Sequence, residues 1–222
     1  MKARQTWILI ALHLSLVSAG CRKEPTDTLE LRGIVTDIRT GLGIPDVAVT
    51  LEEQVVESGV WVGTWNEAGE TTTDAAGLYE IGFGRKNALA YQTRASKPLW
   101  FPQEQDLSAD NWRGETTSEW SVSLVPKGWV TLSFVNSQPF SDPEGTQVDF
   151  RFLHTNPLNL PVCSNDWIHF GGNSEPPPGI CLLEGDRFLP YTIEVERDGN
   201  LSVWVDSVYI SRFDTIPLQI LY

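Results

Sequence analysis

The sequence predicts an all-β chain of two packed antiparallel β-sandwich domains, and three observations carry that reading. Beyond residue 21, apolar residues alternate with polar ones at period two. The alternating runs are bounded by Gly, Pro, Asn and Asp, the residues of tight turns. Helical periodicity is hard to find anywhere in the same region. Stripes that face one way must be covered, and two antiparallel sheets packed face to face are the usual way to do it.

The elements follow in chain order. Lys2 and Arg4 open a leader whose apolar run, Trp7 to Val17, is eleven residues long. A membrane span needs about 20 residues, so this run fits the core of a secretory signal peptide over residues 1–20. Ser18-Ala19-Gly20-Cys21 comes next and resembles the lipobox of bacterial lipoproteins, where cleavage leaves the cysteine as a lipid-bearing N-terminus. Ser18 departs from that family, which usually has a leucine there. The resemblance implies lipid attachment at Cys21, contact with a membrane through that lipid, and an outer-membrane lipoprotein facing the periplasm or the cell surface. An ordinary signal cut after Ala19 or Gly20 is the alternative. Each buried methylene adds about 0.8 kcal/mol, so two or more acyl chains would hold a domain firmly. Residues 21–28 read as a polar tether.

In the first half, over 29–126, strands are expected at Leu29–Ile38, Asp46–Val56, Val60–Trp65, Leu78–Gly84, Ala88–Ala95 and Glu119–Val125. Within TTTDAAGLYEIGF (71–83), Asp74 is placed to accept backbone N–H groups and Gly77 to take the positive φ that closes a turn. Tyr79, Ile81 and Phe83 then face the core. Asp74 and Gly77 therefore read as turn scaffold. These residues, with Gly33-Ile34-Val35-Thr36-Asp37, Thr40-Gly41, Ile44-Pro45, Val47 and Val49, resemble the carboxypeptidase regulatory-like domain. That family implies a transthyretin-like seven-stranded sandwich that is not itself catalytic and that occurs on outer-membrane receptors and surface lipoproteins. Two stretches depart from it: an extended hairpin between Leu51 and Thr71, and a long polar segment from Pro102 to Thr117.

The second half, 127–222, resembles no family that can be named, and a second sandwich is expected there. Its strands fall at Trp129–Asn136, Thr146–His154, Thr192–Arg197, Leu201–Ile210 and Ile216–Tyr222. Asp198-Gly199-Asn200 marks a tight hairpin, and Pro126-Lys127-Gly128 joins the two halves. With Cys21 acylated, Cys163 and Cys181 remain as an even pair suited to a disulfide in an oxidising compartment. A metal site from Cys163, Cys181, His154 and His169 is the competing reading, although CxxC and HxxxH spacings are absent.

The charge balance is 16 basic against 29 acidic residues, a net −13. Losing Lys2 and Arg4 with the leader makes it more acidic still, which disfavours nucleic acid as a partner. Neither His154 nor His169 lies in a nucleophile motif, and Asp142/Glu144 and Glu194/Glu196 read as solvated pairs. No catalytic residue, metal site or cofactor is assigned. Aromatics are the more informative class. Trp61 and Trp65, about 13 Å apart at roughly 3.3 Å per residue, would flank Gly63 as an open shelf, or else turn inward. The long segment from Thr155 to Pro190 either presents Trp167, His169 and Phe170 on a constrained loop or uses its aromatics to complete the core. The function expected is a non-catalytic, lipid-anchored envelope protein with a binding or assembly role towards a glycan or an outer-membrane protein. A structural spacer and a hydrolase are the alternatives.

Overall fold

The computed structural model describes residues 28–57, 59–61, 63–137, 145–153, 160, 163–171 and 179–222. The leader, Cys21, the tether up to Asp27, His154 and the pair Asp142/Glu144 lie outside them. The first half carries β1 (Thr28–Asp37), β2 (Ala48–Glu57), β3 (Val60–Trp61), β4 (Asn66–Thr72), β5 (Leu78–Gly84), β6 (Ala88–Ser96), β7 (Trp100–Phe101) and β8 (Gln103–Ser108). A 3-10 turn (Ala109–Trp112), β9 (Thr117–Glu119) and β10 (Val122–Val135) follow. The second half adds β11 (Thr146–Phe152), β12 (Ile168–Gly171), β13 (Gly179–Glu184), β14 (Arg187–Arg197), β15 (Asn200–Ile210) and β16 (Thr215–Leu221).

The chain is all-β, in packed sandwiches. One sheet of the first sandwich sets β5 beside β1, with β9 and then β10 on the other edge of β1. The opposing sheet runs β4-β2-β6-β8, with β3 also pairing β2. Leu29, Leu31 and Val35 of β1, Tyr79, Ile81 and Phe83 of β5, and Val49, Leu51 and Tyr91 of the other sheet meet between them. Period-two alternation produces this directly: along β5 every second residue is buried and its neighbours are exposed. The second sandwich packs β13-β10-β16 against β12-β11-β14-β15 around Val130, Leu132, Phe150, Phe152, Ile193 and Ile220.

Four features differ from the expectation. Glu119–Val125 and Trp129–Asn136 were expected as two strands, but Pro126-Lys127-Gly128 lies inside the single strand β10. The ladder partners change there: Val125 and Pro126 pair β7, whereas Lys127 onward pairs β13 and Trp129 onward pairs β16. A proline is tolerated in a strand interior at such a handover. Second, the sheets are mixed: β10 runs parallel to β1 and to β16, and β9 parallel to β1. Hairpin neighbours are antiparallel because a short turn forces it; strands far apart in sequence have no such constraint.

Third, the polar segment from Pro102 to Thr117 is β8 followed by the 3-10 turn, which drives Trp112 into the core. Ser108 caps that turn by accepting from the Asp110 N–H. The Trp112 ring lies 4.7 Å from Tyr91 and 5.4 Å from Phe83, and its Nε1 donates to the Glu30 carbonyl. Fourth, β4 (NEAGETT) forms without an apolar stripe, as an edge strand on β2.

The halves meet along a polar and apolar seam. Arg212 bridges Asp37 of the first sandwich (2.8 Å) and Asp186 of the second. Arg39 reaches Glu184 and the Gly185 carbonyl. Beneath these, Phe101, Val125 and Leu160 form a small core of their own with Leu182 packed on it, and Trp100 lies edge-on to Phe213. Asp37 is buried, which alone would raise its pKa. Hydrogen bonds from the Arg39 N–H, the Arg212 guanidinium and the Thr40 hydroxyl outweigh burial and hold it below its ordinary value.

Candidate ligand face on the second sandwich

The outer face of the sheet β12-β11-β14-β15 gathers His169, Asp149, Gln147, Arg151, Glu194 and Glu196. Its inward residues (Val148, Phe150, Ile193, Val195) are buried, so the alternate positions point to solvent. Register then sorts them into rows that cross the strands. His169, Asp149, Glu194 and Val203 form one row, and Gly171, Gln147, Glu196 and Leu201 the next. Trp167, just ahead of β12, stands beside Arg151, whose guanidinium lies 4.3 Å from the indole centroid.

Within this face His169 Nδ1 contacts Asp149 Oδ1, and Gln147 Nε2 donates to Asp149 Oδ2 at 3.2 Å. The His169 side chain is 62% exposed while that of Asp149 is 19% exposed. An open hollow of about 510 Å³ adjoins the pair, lined by Gln147, His169, Gly171 and Glu196, with Phe170 on its inner side. The arrangement offers a fixed indole, an oriented imidazole, an amide and three carboxylates. Such a set can stack on a ring and exchange several hydrogen bonds with hydroxyls.

The residues singled out from the sequence are distributed unevenly. Trp167 and His169 come together on this face, with ring centroids 6.4 Å apart. Phe170 does not join them: it is buried, against Phe134 and Tyr222, because it lies between the exposed His169 and Gly171 and points to the opposite side of β12. As a surface contact Phe170 is therefore withdrawn. Cys163 and Cys181 form a disulfide with a Cα–Cα distance of 5.4 Å, so their thiolates are not free to hold a metal. Among the described residues no group of three or more His, Cys, Asp or Glu is placed to bind one.

Trp61 and Trp65 lie elsewhere and do not flank a shelf. β3 covers only Val60–Trp61, so the alternation expected to run to Trp65 stops early. The Trp61 ring instead leans over Gly63, 3.7 Å from where a Cβ would sit there. Trp61 remains 61% exposed, whereas Trp65 is half-buried. Asp74 Oδ1 accepts from the N–H groups of Ala76 and Leu78, both at 2.8 Å, and Gly77 has φ +80°. These two residues hold a turn.

Sequence reasoning missed Gln147, Asp149 and Arg151. The signal was present, since alternation along Thr146–His154 already set them opposite Val148, Phe150 and Phe152. What it lacked was the register that brings β12 alongside.

No protein-family model matches the chain, and no curated protein does. Among solved structures it is similar to the TIE protein of Bacillus anthracis, at 11% identity and TM-score 0.38, over 87% of this chain and 34% of that one. The chain thus spans about a third of that protein's length. It is also similar to the shaft pilin SpaA of Lactobacillus rhamnosus GG, at 13% identity and TM-score 0.30, over 89% of this chain and 97% of that one. A 3-chlorocatechol 1,2-dioxygenase of Rhodococcus opacus 1CP matches 47% of this chain and 61% of its own at 15% identity and TM-score 0.33. No clear enzymatic family emerges, and similarity at this level carries nothing about function to this chain.

Proposed function

We propose that this is a non-catalytic, lipid-anchored envelope protein whose second sandwich binds a glycan at the outer membrane. The observation that carries the binding role is the Arg151-backed Trp167 beside the His169–Asp149 pair on three adjacent strands. Side chains on a hydrogen-bonded sheet lose little freedom on binding, and an indole beside carboxylates and an amide suits the apolar face and hydroxyl rim of a sugar ring. The support for export and lipid attachment is the leader with Ser18-Ala19-Gly20-Cys21. The support for a carboxypeptidase regulatory-like first domain is the order of its motifs, from Gly33 to Tyr79.

Calorimetric titration with envelope and plant polysaccharides tests the binding role. Saturable binding weakened at least about fivefold in both Trp167→Ala and Asp149→Ala is expected, one stacking contact being worth about 1 kcal/mol. Wild-type protein that binds none of them, or variants that bind as well as wild type, would sink it. Incorporation of labelled palmitate that disappears in Cys21→Ser tests the anchor.

A second reading, a rigid spacer, is favoured by β10 running unbroken through both sandwiches. It predicts that simultaneous replacement of Trp167 and Asp149 leaves the protein's role in the cell untouched.

A further inference from the structure

The strand at the far edge of the candidate ligand sheet is built unlike a protected edge. β15 pairs β14 along all eleven residues without a bulge, and among the described residues nothing pairs its other side. Leu201 is 62% exposed, Val203 53%, Trp204 48% and Val205 68%. From Asn200 to Ser207 both faces of the strand are thus open, and among the described residues its second edge offers N–H and C=O groups that pair no other strand, the Ser207 N–H donating to the Asp206 carboxylate. Native proteins guard such edges with charged side chains, proline, bulges or short length. From Leu201 to Ile210, β15 has one such device, the acid Asp206, which sits on the face of Tyr191 and accepts its hydroxyl.

The geometry points to a second copy of this chain as the occupant: β15 pairs antiparallel with its own symmetry mate about a two-fold axis at Val203. Only registers that keep each side chain on its own face are allowed, which leaves pairings centred on a residue. Centring on Asp206 would set two carboxylates opposite each other. Centring on Val203 sets Val203 opposite Val203, Leu201 opposite Val205, the large Trp204 opposite the small Ser202, and Asp206 opposite the Asn200 amide. Every pair then matches in size or charge. Asp206 is the one acid of β15 where the two strands meet, and it faces an amide and not its own copy. An isologous contact of this kind also closes at two subunits, so it does not propagate. The two four-stranded sheets would become one continuous eight-stranded sheet, with both candidate ligand faces on the same side.

Sedimentation velocity on the purified full chain, from low-micromolar to near-millimolar concentration, tests this. A reversible monomer–dimer equilibrium is expected, weakened at least about tenfold by Val203→Lys, which places like charges opposite each other, and retained by Val203→Thr. Val203 is already exposed, and an unchanged melting curve would show that the lysine variant folds. Oxidation should link Val203→Cys into a covalent dimer but leave Leu201→Cys monomeric, because Leu201 faces Val205 and not its own copy. A monomer at all concentrations would overturn the inference. So would a dimer indifferent to Val203→Lys, or a monomer that takes up a strand of another protein along β15.

Discussion

Gly33 sits where β1 passes closest to the chain that follows β9. A Cβ built there would lie 1.8 Å from the Trp120 carbonyl oxygen, which also accepts the Tyr79 hydroxyl at 2.6 Å. Neither the backbone nor that buried tyrosine can retreat, so Gly33→Ala should destabilise by about 2–3 kcal/mol, read from urea denaturation. Glu53 poses the opposite problem at the centre of β2. It is fully buried, Lys86 contacts its Oε1, and Oε2 has no hydrogen-bond partner among the described residues. Removing the cation would strand a buried carboxylate. Lys86→Met is expected to cost about 2 kcal/mol, below the roughly 3–5 of a fully buried pair because Lys86 is half exposed. In the double variant with Glu53→Met most of that loss should be recovered. A double variant as unstable as the single one would show that the pair contributes through packing and not through charge.

At the scale of elements, the disulfide ties β13 to the segment before β12, and so fastens one sheet of the second sandwich to the other. The Cys163 N–H also donates to the Leu182 carbonyl at 2.9 Å. Closing a loop of this length stabilises by about 3 kcal/mol on the chain-entropy model. Cys181→Ser should therefore lower stability by about that amount, visible as a shifted denaturation midpoint that reductant mimics in the wild type. The hairpin between β14 and β15 carries its own instruction. Asp198 and Gly199 both take positive φ (49° and 76°), closing a two-residue loop from Arg197 to Asn200. Of the three residues that marked this turn in the sequence, Asp198 and Gly199 form the loop and Asn200 is already in the strand.

Across the whole molecule, two cores joined by one shared strand and one ionic seam should unfold together. Asp37 links that coupling to pH. Its pKa is held below the ordinary 3.8, so its contribution is complete above the unfolded-state value and is lost as pH falls through the folded one. Calorimetry is expected to show one cooperative transition from neutral pH down to about 5, weakening below about 4. Asp37→Asn should flatten that acid limb, and an unchanged pH profile would refute the assignment. Arg212→Met leaves Asp37 and Asp186 without their shared cation, and should split the transition in two at neutral pH.

Alternation and turn chemistry were sufficient to read the all-β class, the inward stripes of β5, β11 and β16, and the turn at Asp74 and Gly77. Each of these is set by neighbours within a few residues: a side chain's face follows from period two, and a turn from one carboxylate and one glycine. Tertiary structure alone decided that β10 continues through Pro126, that NEAGETT becomes a strand, and that Trp112 is core. In all three, partners distant in sequence supply the hydrogen bonds or the apolar cover. It likewise decided that Asp149 and Arg151 meet His169 and Trp167, and that β15 lies at an open edge. Which strand lies beside which depends on pairing between segments that do not adjoin in the chain, and no local pattern of residues encodes it.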